Sequence, residues 1–104
     1  MEMVAARKAS HITLLDLRGI SIIADYFIIC SGESERQLRA ISDEVREKLN
    51  AHAVVPRRVE GTAESGWILM DFGSVILHIF DLSRRDYYQL EEVWKTARTL
   101  AVMP

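Results

Sequence analysis

The chain has 104 residues, of which 49% are apolar and 27% charged, with a net charge of -2, two prolines and five glycines. That describes one globular domain over residues 1–104 and excludes a disordered chain, and about 65% of the unfolded surface is buried at this size, so no metal or disulfide staple is required. The charge lacks the basic excess that phosphate neutralisation demands, which disfavours direct nucleic-acid binding. A lone cysteine, no apolar leader near the N-terminus and no apolar run near about 18 residues together predict a cytoplasmic protein outside the membrane.

Residues 1–9 read as a short helix, Ile12–Leu17 as a strand and Arg18-Gly19 as a break. Ile20–Ile23 reads as a second short extended piece. Asp25–Cys30 is aromatic and β-branched without polar alternation, the pattern of a central strand covered on both faces, and Cys30 within it reads as a buried thiol. Ser31–Ser34 turns the chain, and Ser34 with Gln37 fits a capping box for a helix whose Leu38, Ile41, Val45 and Leu49 share one face. Val54, Val55 and Val59 flank Pro56, which restricts any strand there to an edge or a bend, and Gly61–Gly66 reads as a polar loop. Trp67–Phe72 and Val75–Phe80, separated by Gly73-Ser74, form a hairpin with a two-residue turn. A final helix is predicted from Tyr87, Leu90, Val93, Trp94, Ala97, Leu100 and Ala101. Strands and helices in this order predict an α/β layered sandwich, with a mixed sheet of about five strands and flanking helices.

Catalytic patterns are sparse. His11, His52, His78 and Cys30 share none of the short spacings of zinc sites, so neither metal nor cofactor is expected. His78 is a candidate base, and a hydrogen-bonded core histidine is the commoner reading. The Ser31–Ser34 turn meets a helix N-terminus, yet it lacks a P-loop lysine and Glu33 repels an anion, so it reads as a cap. Asp16, Asp25 and Asp71 lie at or beside strands and together represent an Mg²⁺ alternative, without any D-x-D pair. Arg57-Arg58 and Arg84-Arg85 are too short for nucleic-acid patches and read as solvated surface or as partners of Glu60, Asp81 and Asp86. Trp67, Met70 and Phe72 concentrate large apolar side chains on the hairpin, either as core or as binding anchors, with core favoured by the continuous apolar runs.

Several segments together resemble the Iojap-type ribosomal silencing factor family: Leu15–Gly19, Ala24–Ser34, Arg36-Gln37, Val59–Gly61, Trp67–Gly73, His78–Phe80 and Arg84–Trp94. The resemblance spans nearly the full chain in order, and its A-D-Y-F…S-G-x-S, E-G and W-x-L-x-D-x-G elements are specific. It implies a nucleotidyltransferase-like fold without the catalytic acidic motif, and thus no enzyme. It further implies binding to ribosomal protein L-fourteen on the large ribosomal subunit, which blocks joining of the small subunit and represses translation, and a homodimer when free. Assembly of the large subunit is the alternative role, and a residual Mg-dependent nucleotidyltransferase a more remote one. The implied contact region contains Trp67 and Phe72, with Met70 beside them. The carboxylates of Glu60 and Asp71 suit a basic protein partner better than RNA.

Overall fold

The computed structural model describes residues 10–88 and 97–103. Its centre is the pair of apolar runs that show least alternation. β2 (Tyr26–Gly32) and β5 (Val75–Asp81) lie in parallel, Ile29 beside His78 and Cys30 beside Ile79. Side chains on both faces of these strands are buried, so neither needs a polar face. β1 (Ser10–Asp16) pairs antiparallel with β2, and β6 (Arg98–Met103) with β1. On the other side β4 (Trp67–Asp71) pairs antiparallel with β5, and β3 (Arg58–Thr62) with β4. The result is a mixed six-stranded sheet in the order β3-β4-β5-β2-β1-β6.

The helix α1 (Glu35–Asn50) covers one face of the sheet with Leu38, Ile41 and Val45. Its start is fixed by chemistry visible in the sequence. The Ser34 hydroxyl accepts the Gln37 N–H at 3.1 Å, and the Gln37 side-chain oxygen accepts the Glu33 N–H at 2.6 Å. The second bond of the capping box thus returns to the residue before the cap. A seven-residue helix, α2 (Leu82–Tyr88), follows β5 and is capped by Asp81, whose carboxylate accepts the Arg84 N–H at 2.7 Å. From α2 the buried Arg85 reaches the sheet face opposite α1, donating to the Ser31 hydroxyl at 2.9 Å, the Thr13 hydroxyl at 3.3 Å and the His11 carbonyl. Arg85 is therefore an internal tie, not the solvated surface residue that its charge suggests.

Three expectations are corrected. Ile20–Ile23 is not a strand, because the N–H groups of Ile20 and Ser21 both return to the Leu17 carbonyl, at 3.1 and 3.0 Å, and the chain coils through Gly19 at φ +86°. Local turn bonds win over β propensity there. Gly61 and Thr62 are not loop but the end of β3, opposite Ile68 and Trp67, so the turn is confined to the residues between Thr62 and Trp67. Leu100 and Ala101 lie in β6 and not in a helix, with Ala101 beside Leu14. The open edge of β1 offers unpaired backbone groups, and a sixth strand satisfies them where a helix cannot. The helix expected over residues 1–9, together with Leu90, Val93 and Trp94, falls outside the described residues.

Candidate partner-binding surface

Alternation along β4 divides the expected contact residues between two faces. Met70 faces α1, is 0% exposed and belongs to the core with Ile41, Leu77 and Ile79. Phe72, just past the strand, packs against the same core. Trp67, Leu69 and Asp71 occupy the opposite face. Five residue steps along an extended chain also separate Trp67 from Phe72 by about 17 Å. The structure therefore removes Met70 from the surface and sets Phe72 apart from Trp67.

Trp67 is half-buried. Its ring stacks on Phe80 with centroids 4.9 Å apart, and its indole N–H donates to His78 Nδ1 at 3.2 Å. Beside it, the half-buried Leu69 continues the apolar strip. On the neighbouring edge strand, Glu60 stands opposite Leu69 and Arg58 opposite Asp71. Arg58 lies between the two carboxylates, 3.8 Å from Glu60 and 3.7 Å from Asp71. Such loose, solvent-facing pairs contribute well under about 1 kcal/mol and leave the acidic groups ready to exchange partners. Asp71 has a second duty, since its other oxygen accepts the Gly73 N–H at 2.8 Å. That bond locks the β4–β5 turn, where the Phe72 N–H reaches the Val75 carbonyl at 2.9 Å and Gly73 adopts φ +92°. The site is thus an aromatic and aliphatic strip on a sheet edge, with Glu60 and Asp71 along its rim.

The other candidate groups are dispersed. Asp16 is held by the Arg18 guanidinium at 2.8 Å, and this side-chain bond lowers its carboxyl to about 2. Among the described residues, no three His, Cys, Asp or Glu side chains gather into a metal-holding group. Burial pushes the Cys30 thiol up to about 12, which leaves it unreactive at neutral pH. An open groove of about 490 Å³ lies between the end of α1 and the start of β3, lined by Arg46, Glu47, Arg57 and Val59 among others, and it shares Arg58 with the rim of the strip. Sequence reasoning missed Leu69, although alternation from Trp67 was the signal that places it, and it read Arg58 as solvated surface or a partner of Glu60 without placing it in the site.

The family described as "Ribosomal silencing factor during starvation" matches residues 1–103. The chain belongs to that family. A ribosomal silencing factor of Bacillus subtilis is 40% identical over 91 residues, covering 88% of this chain and 77% of that one. A crystal structure from Chromobacterium violaceum superposes with a TM-score of 0.85 at 31% identity, over 90% of this chain and 78% of the other. The mouse protein named "Mitochondrial assembly of ribosomal large subunit protein 1" is 33% identical over 73 residues, covering 67% of this chain and 32% of its own length. The carboxylates of Glu60 and Asp71 beside Leu69 give this strip an acidic rim. None of the described helices is long and apolar enough to cross a membrane.

Proposed function

We propose that this protein binds the large ribosomal subunit through ribosomal protein L-fourteen, and that its bulk on the joining face keeps the small subunit away and so represses translation. Membership of the silencing-factor family carries the coarser part, a role in ribosomal silencing or large-subunit assembly. The finer part is supported by one observation: Trp67 and Leu69 lie on the β3–β4 edge with Glu60 and Asp71 beside them, an apolar anchor with an acidic rim suited to a basic protein. No bond need be made or broken for steric blocking, so the reading requires neither cofactor nor metal.

Binding of purified large subunits by the Trp67→Ala variant is the direct test. An anchor of this size carries at least about a thirtyfold change in affinity, with the domain still folded. Trp67→Ala and Glu60→Arg variants that both block subunit joining at full strength would show that the surface has been misplaced. The name of the mouse relative favours a second reading, assembly of the large subunit. Ribosomal particle profiles from growing and starved cells lacking the protein separate the two: precursor particles accumulate if it assembles, and the ratio of joined to free subunits changes if it silences.

A further inference from the structure

His78 is the least expected residue of the central sheet. It is 3% exposed on β5, between Ile29 of β2 and Leu69 of β4, and Phe27 meets its ring edge-on with centroids 4.6 Å apart. Every neighbour in that ring of contacts is apolar or aromatic. One imidazole nitrogen, Nδ1, faces the Trp67 indole N–H at 3.2 Å. An indole nitrogen only donates, so Nδ1 must be the acceptor and the ring proton sits on Nε2. Nε2 is buried and meets no partner among the described residues. Burial also lowers the imidazole to about 4, which keeps it neutral and its Nδ1 lone pair available at physiological pH.

An aliphatic side chain would fill this place without an unmet donor. The imidazole therefore carries a penalty that packing does not explain, and among the described residues its one satisfied bond is the bond to Trp67. Trp67 lies diagonal to His78 across the β4–β5 pair, since His78 is opposite Leu69 and Trp67 is opposite Phe80. Diagonal neighbours are within reach of aromatic side chains. Stacking on Phe80 fixes the plane of the indole, while a bond at Nε1 selects which edge turns inward. Without the bond, the ring keeps its stacking on Phe80 and loses that selection.

We propose that His78 is a positioning residue for partner recognition: through its Nδ1 acceptor it holds the Trp67 indole in the single orientation that the partner meets. This rests on Trp67 being the anchor for the large subunit, as proposed above. The experiment measures large-subunit affinity for His78→Leu, His78→Asn, Trp67→Phe, Trp67→Ala and the His78→Leu/Trp67→Phe pair in the full chain, together with the indole N–H resonances. His78→Leu is expected to weaken binding about tenfold, roughly what one hydrogen bond and its ordering supply, while the unfolding midpoint stays the same or rises. His78→Asn, whose side-chain oxygen sits near the place of Nδ1, recovers part of the loss. In the Trp67→Phe background, which has no indole N–H, His78→Leu adds nothing. The Trp67 indole proton, assigned from the Trp67→Phe spectrum, moves upfield in His78→Leu.

A His78→Leu variant that binds normally while Trp67→Ala does not would overturn the positioning role alone, as would an unmoved indole resonance or a loss that adds to that of Trp67→Phe. Full binding by Trp67→Ala would overturn the anchor and the positioning role together.

Discussion

The two faces of the sheet come from the same strands in alternation, yet their chemistry differs. Between α1 and the sheet, Leu38, Ile41 and Val45 of the helix meet Ile12, Cys30, Ile68, Met70, Leu77 and Ile79 of the strands, none of which carries a strong hydrogen-bonding group. The opposite face buries Phe27, Ile29, Ile76 and Phe80 together with His78, Thr13, Ser31 and Arg85, whose polar atoms each require a partner in a set direction. Hydrophobic packing is non-directional and holds a fold together, whereas hydrogen bonds in a low-dielectric interior orient particular side chains. One face supplies stability, and the other uses part of that stability to hold the Trp67 indole against Phe80 and His78 of β5.

The contrast can be broken in three places. Truncating the α1 face has the largest effect: Ile41→Ala, at a site with 0% exposure, is expected to destabilise the protein by about 4 kcal/mol in urea titration. A loss under about 1 kcal/mol would mean that the aliphatic face is not the main source of stability. Acid acts on the other face. His78 has a folded value near 4 against an ordinary 6.5, so between those values the unfolded chain binds a proton that the folded chain refuses. Stability is therefore fully present above about pH 6.5 and falls by about 3 kcal/mol as the pH drops to about 4, beyond which this contribution changes no further. Unfolding curves across this range should show the slope in the native protein and a much flatter one in His78→Leu; equal slopes would remove His78 as the cause.

The smallest expected effect sharpens the role of the edge. Gly61 holds φ +80° within β3, and an added Cβ would collide with the Trp67 carbonyl. Gly61→Ala should cost about 2 kcal/mol through strain and displaced pairing, and should loosen β3 against β4 beside Trp67. Amide exchange confined to β3 and β4 would confirm that the edge yields independently of the α1 face. Uniformly faster exchange would show that the two regions unfold as one.

Much of this architecture was legible residue by residue. Ser34 and Gln37 announced the start of α1, Gly73-Ser74 the turn of the hairpin that Val75–Phe80 completes, and the unalternated run Asp25–Cys30 a central strand; that Val75–Phe80 lies beside it at the centre came from the structure. The failures share a cause. Ile20–Ile23 has the composition of a strand but no neighbour to pair with among the described residues, whereas Gly61-Thr62 and Leu100-Ala101 lack strand composition or periodicity yet lie beside open edges. Pairing is a property of the neighbour as much as of the segment. Within the candidate site, alternation already separated Met70 from Trp67, but the apolar character of every residue from Trp67 to Met70 concealed which face was which.

What the sequence determined by itself was the class of fold and the family, because these follow from local propensity, periodicity and ordered motifs. Only the tertiary structure decided that Trp67, Leu69, Glu60 and Asp71 share a face while Met70 lies inside, and that His78, 11 positions from Trp67 in the chain, accepts its indole proton. Those relations depend on strand register, which brings distant residues within hydrogen-bond reach and which no single segment encodes.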